Sequence, residues 1–188
     1  MRRSVYVTAV VAAGLMLAVI AMAAQDTTKP PDMPPMGPPQ EIKDVAYLVG
    51  DWDMVGQMRQ DTTQPWQEIK GSCTFSYTAG GAAMMMDYTG TMEGNVFQGV
   101  AIDTYDRETK KWQSIWIDNL SARITYYEGE KKDGQSVLIG EDRYLGQIYT
   151  IRLTSTKKTD KSFDWKMEMS TDGGKTFTTT MTTTYTKK

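Results

Sequence analysis

The 188-residue chain contains no histidine. That absence removes the commonest metal ligand, the usual general base and the proximal ligand of globin-like haem sites. A single cysteine, Cys73, excludes an intramolecular disulfide, so the fold must stand on packing. Positive charge is scarce as well: 21 lysines and arginines face 23 aspartates and glutamates. A balance of this sign disfavours nucleic acid or an anionic membrane as a partner. Proline is almost confined to one stretch, since six of the seven lie in residues 25–40 and only Pro65 follows. Every later segment therefore keeps its backbone donors for sheet pairing.

What is present begins with an address. Met1-Arg2-Arg3 is a short positive region, residues 5–19 are mostly apolar and uncharged, and Ala21-Met22-Ala23 supplies small residues at a cleavage site. These are the parts of a secretory signal peptide, expected over residues 1–23. An uncleaved anchor is the alternative, because residues 5–24 nearly reach the ~20 needed to span a bilayer. Cleavage would remove Arg2 and Arg3, take the formal charge from −2 to −4, and leave no membrane segment. Residues 24–40 read as a proline-rich extended linker, and residues 41–188 as one domain. The expected location is periplasmic or secreted.

Within the domain, residues 41–48 are expected to form a short helix, with Ile42, Val45 and Leu48 facing one way. Downstream, β-branched and aromatic residues fill ten segments, near 52–59, 66–77, 82–90, 95–105, 111–118, 121–128, 135–143, 147–157, 161–170 and 176–186. Alternation is clearest late in the chain. Phe163, Trp165 and Met167 oppose Asp164, Lys166 and Glu168, while Phe177, Met181 and Tyr185 oppose the intervening threonines, which puts the apolar set inside. Earlier, Ile69, Cys73, Phe75 and Tyr77 share a face. Short turns, near 90–94, 106–110, 129–134 and 172–175, make sequential strands neighbours. Ten long strands in an open sheet would expose aggregation-prone edges, and closure removes them. The expectation is an all-β, antiparallel up-and-down barrel.

Gly50-Asp51-Trp52 after a short helix resembles the Gly-x-Trp signature of lipocalins, whose tryptophan packs across the closed end of the barrel. Leu48-Val49-Gly50-Asp51-Trp52, Gly80-Gly81, Tyr105-Asp106, Trp116-Ile117-Asp118 and Gly129 together resemble the bacterial family catalogued as domain of unknown function 1579, over roughly residues 41 to 187. The resemblance implies a lipocalin-like barrel in an exported or cytoplasmic protein, with no activity attached. Thr104 stands where that family usually has glycine. Haem binding of the nitrobindin-like kind does not carry over, because it needs a histidine.

The leading functional expectation is an exported, non-enzymatic barrel that binds a small apolar or amphipathic ligand without a cofactor. The ligand wall is expected to comprise Cys73, Phe75, Met86, Tyr88, Trp116, Trp165 and Met181, flexible and aromatic surface on predicted inward faces. Trp112, Ser114, Trp116 and Asp118 fall on one strand face, and either that row or Ile115 and Ile117 turns inward. The rival from another class is an interaction scaffold with a filled barrel. Two further readings are weighed. Methionines at 33, 36, 84–86, 167 and 169 suit copper(I) by softness, but alternation separates Met85 from Met84 and Met86, and an adaptable lining for a cavity or an irregular core is the favoured reading. Asp87, Asp103, Asp118, Glu141 and Asp142 offer acid–base chemistry only if two of them face the interior. Residues 170–177 resemble an Asp-box turn, a motif that Asp-Gly-Gly also produces for backbone reasons.

Overall fold

The structure, a computed structural model, describes residues 35–92, 94–144 and 146–188. The expected signal peptide and the linker up to residue 34 lie outside the described residues.

A helix α1 (Gln40–Asp44) runs into a 3-10 turn (Ala46–Leu48), with Val45 between them at φ −103°. One continuous helix over 41–48 was expected. The break has a steric reason: a strict three-residue spacing of Ile42, Val45 and Leu48 stays on one face in 3-10 geometry, whereas it drifts around an α-helix. All three are buried, Ile42 completely.

Ten strands follow: β1 (Gly50–Met58), β2 (Gln67–Thr78), β3 (Ala83–Met92), β4 (Asn95–Asp106), β5 (Lys111–Asp118), β6 (Thr125–Lys132), β7 (Gln135–Tyr144), β8 (Gln147–Thr159), β9 (Ser162–Ser170) and β10 (Thr178–Lys187). Each pairs antiparallel with the next, and β1 pairs with β10 from Trp52↔Lys187 to Met58↔Met181. The sheet is therefore a closed, lipocalin-like up-and-down barrel. Thr104, where glycine is usual, ties β4 to the end of the preceding turn by donating its hydroxyl to the Ala82 carbonyl at 2.9 Å.

The helix stands at one end and closes it. Trp52 is fully buried there and donates its Nε1–H to the Leu48 carbonyl at 2.6 Å. Its ring meets Phe163 edge-on at 5.1 Å, and Phe163 stacks on Tyr185 at 4.5 Å. Lys187 reaches over the same tryptophan and donates to the Tyr47 carbonyl at 2.8 Å. The plug is thus an aromatic stack with its polar atoms satisfied locally.

Four expectations need correction. The sixth strand starts at Thr125 rather than 121, because Asp118 accepts hydrogen bonds from the amides of Leu120 and Ser121 and folds the preceding residues into a turn. It also continues to Lys132 through Gly129, expected to be a turn residue, whose missing Cβ instead admits the backbone of Val137 on β7. Phe177 lies on the outer side, with the Arg152 guanidinium 4.0 Å from its ring centroid. A bulge between Thr179 and Met181 inserts one residue and reverses the facing of everything before it. Finally, Tyr77 has inward parity but sits past the start of β1 and is 45% exposed.

Phe163, Trp165, Met167, Met181 and Tyr185 do face inward, opposite Asp164, Lys166 and Glu168. Glu168 is outward without being wet. It is 7% exposed beneath Arg152 (2.7 Å) and Lys166 (3.0 Å), and the Arg152 hydrogen bond holds its carboxyl below the usual value.

The turn at residues 170–177 is a backbone device. Asp172 accepts from the amides of Lys175 and Thr176, from the Thr176 hydroxyl, and from Ser170 Oγ at 2.6 Å, and these bonds hold its carboxyl far below its ordinary 3.8. A depressed folded-state pKa contributes stability above the unfolded value that is lost as pH falls through the folded one. Asp172→Ala is therefore expected to lower the melting temperature at pH 7, and the gap from wild type should close progressively below about pH 4. Thermal melts at pH 7, 4 and 2.5 check this; a gap independent of pH would contradict it.

Candidate ligand cavity

The barrel interior is hollow. A cavity of about 600 Å³ runs between the helix-capped end and the opposite rim, inside the roughly 300–1,000 Å³ range of small-molecule sites. Thr91 is exposed at the far rim, where the lining meets solvent, and Asp44, Lys132 and Asp133 are exposed beside the helix.

Strand alternation decides which side chains reach it. Trp112, Ser114, Trp116 and Asp118 of β5 turn inward, while Ile117 is on the outside and 39% exposed. Phe75, Met86, Tyr88, Trp116, Trp165 and Met181 all line the cavity. Cys73, grouped with them from sequence, does not line it. It shares their inward parity but is covered between its cross-strand partners Trp52 and Tyr88, where burial raises its thiol to about 12. It is a packing residue whose short side chain the larger neighbours cover.

Glycines shape the wall. Gly71 and Gly90 face each other across β2 and β3 on the inner side, and the Tyr88 ring lies over both; a Cβ at either would overlap its hydroxyl end. Gly99 accommodates the Trp116 ring in the same way. The rings therefore lie back against the sheet, where Tyr88, Phe97 and Trp116 form a cluster with centroids 6.0–6.4 Å apart. Burial raises the Tyr88 hydroxyl to about 12 and pushes those of Tyr127 and Tyr185 up as well. The environment is one of low polarity.

Polar groups concentrate on β4 to β8. Lys131 donates to Asp103 Oδ2 at 2.8 Å across the inner face, with its ammonium 4.0 Å from the Trp112 ring centroid. Ser114 pairs in register with Asp103, Ser136 with Lys131, and Ser155 with Ser136. This patch is absent from the sequence-derived wall. The signal that finds it is parity, for Asp103 lies two residues from Tyr105 and Lys131 four from Tyr127, and both of those tyrosines point in.

The carboxylates considered for acid–base chemistry divide. Asp87 and Glu141 are outward and exposed. Asp103, Asp118 and Asp142 face the cavity, each already engaged: Asp103 with Lys131, Asp118 with Trp116 Nε1 at 2.7 Å, and Asp142 with Arg123. Among the methionines, Met84 and Met86 face in while Met85 pairs with Ile102 on the outer side.

No curated protein matches the chain. Among solved structures, the S-type phycobiliprotein lyase from Guillardia theta is similar, with a TM-score of 0.53 and 12% identity over 78% of this chain and 91% of that one. A redesigned β-barrel gives a TM-score of 0.44 at 12% identity, over 77% and 94%. The likeness to the lyase is one of fold. The profile of the family described as protein of unknown function, DUF1579, matches residues 38–187, which takes in the helix, the Gly50-Asp51-Trp52 corner and all ten strands, and the chain belongs to that family.

Proposed function

We propose that the protein is an exported, non-enzymatic carrier that holds a small apolar or amphipathic molecule inside its barrel. The observation that carries this reading is the 600 Å³ cavity with its methionine and aromatic wall. A filled scaffold would pack its interior at a density near 0.75, so the open volume favours the carrier. Support for a non-enzymatic role comes from Asp103, Asp118 and Asp142, the strand carboxylates that face the cavity, each tied to a cation or an indole N–H. The export component rests on the N-terminal sequence alone, and places the protein in the periplasm or outside the cell without nucleic acid or membrane as a partner. N-terminal sequencing of exported protein should begin at Ala24 or Gln25, and a start at Met1 or Arg2 would contradict it.

Burying about 200 Å² of ligand at 25 cal/mol per Å² supplies about 5 kcal/mol before association costs, an affinity that is weak to moderate unless polar groups also engage. Trp116 and Trp165 line the cavity and report on its contents. Titration with a polyaromatic probe should quench tryptophan emission saturably. Trp165→Ala should weaken that binding about tenfold, on the order of the contact area removed, with the barrel still folded by circular dichroism. Quenching that never saturates, or affinity unchanged in the variant, would count against the reading.

A further inference from the structure

The cavity carries hydroxyls that have nothing to bond. Ser114 and Ser136 are each 7% exposed, and neither side chain makes a hydrogen bond within the protein. No sealed side-chain nitrogen or oxygen among the described residues lacks a partner, so these two oxygens open onto the cavity both residues line. Ser155, next in the row, is likewise without a protein partner. Buried hydroxyls are satisfied by something. Of the ammonium groups nearby, Lys131 is neutralised by Asp103, Lys157 is held by Asp160 at 2.6 Å, and Lys132 is exposed at the rim. Six carboxylates and only three ammonium groups, Lys131, Lys132 and Lys157, line the cavity as a whole.

This arrangement disfavours an anionic head. A carboxylate brought to Ser136 would find the register-paired Lys131 already neutralised and would enter a lining with an excess of carboxylates in a low-dielectric interior. An uncharged group that both donates and accepts suits the serines, and the apolar side chains of Leu138, Leu153, Met167 and Met181 run beside them for a tail. Resting on the carrier reading above, we propose that the barrel selects amphiphiles with a neutral head that both donates and accepts, a hydroxyl or amide, seated on Ser136 and its cross-strand partner Ser155.

The test compares 1-decanol with decanoate at pH 8 by calorimetry, on wild type and three variants whose folding is checked by thermal melts. An ionised head is better hydrated in water, so the decisive readout is how the decanol-to-decanoate affinity ratio changes between proteins. Ser136→Ala and Ser155→Ala should each weaken decanol about fivefold, the worth of one hydrogen bond. Asp103→Asn frees the Lys131 ammonium and should shift the ratio at least about tenfold toward decanoate. A ratio unchanged in Asp103→Asn, or decanol affinity untouched by both serine variants, overturns the proposal while leaving a carrier. If neither compound binds wild type, the carrier reading itself fails and the proposal with it.

Discussion

Trp52→Ala is expected to destabilise the barrel by about 3–5 kcal/mol, the range for removing a buried large aromatic. Trp52 has no exposed surface, contacts both Phe75 and Phe163 edge-on, and bonds the Leu48 carbonyl. Alanine would leave a void between the helix and the barrel and strip that carbonyl of its donor. The effect should exceed that of Trp66→Ala, a residue that is 36% exposed and packs under Arg59. Urea unfolding followed by far-ultraviolet circular dichroism measures both. Equal midpoints for the two variants would mean that the closed end does not depend on its tryptophan.

The second large effect is on binding and should leave stability alone. Ala101 faces the cavity between its cross-strand neighbours Met86 and Trp116. Ala101→Phe puts a ring into space the ligand needs, and about 2 kcal/mol of lost contact corresponds to about thirtyfold weaker binding of an apolar probe. Because the ring enters a void rather than a packed core, the usual overpacking cost does not apply, and the melting temperature should hold or rise. A fall in stability with binding intact would indicate that the interior of the folded protein is closed at that point.

The two variants act on parts of the molecule that differ in how openly the sequence declares them. In β9 a strict apolar–polar alternation forces Phe163, Trp165 and Met167 inward together, and the closed barrel follows from ten such segments joined by short turns. In β10 the same logic fails at Phe177. The bulge falls within Thr178-Thr179-Thr180, where three identical residues carry no facing information, and one inserted residue reverses the side. The start of β6 was hidden for a related reason, since the turn before it is built by the Asp118 carboxylate rather than by glycine or proline.

For the site, six residues of the sequence-derived wall line the cavity because their apolar character and their parity agree. Cys73 fails because its short side chain is covered by its cross-strand partners Trp52 and Tyr88, a matter of neighbouring size that alternation does not encode. Lys131 and Ser136 were passed over because polar residues on strands are ordinarily solvated, and Ser114 and Asp103 were weighed only for the side they face and for acid–base chemistry. Only the closure of the barrel shows that their faces enclose a space instead of meeting water.

The methionines provide the most direct test of the central claim that a small molecule occupies this interior. Met86, Met167 and Met181 line the cavity, Met85 lies on the outer face, and Met36 is 95% exposed. With methyl-13C methionine, each gives a resonance assignable by substitution. Titration with a polyaromatic probe or 1-decanol should shift Met86, Met167 and Met181 saturably and with one common affinity, while Met36 and Met85 stay in place. Shifts confined to Met36 and Met85, or no saturable shift at the three interior methyls, would contradict the account.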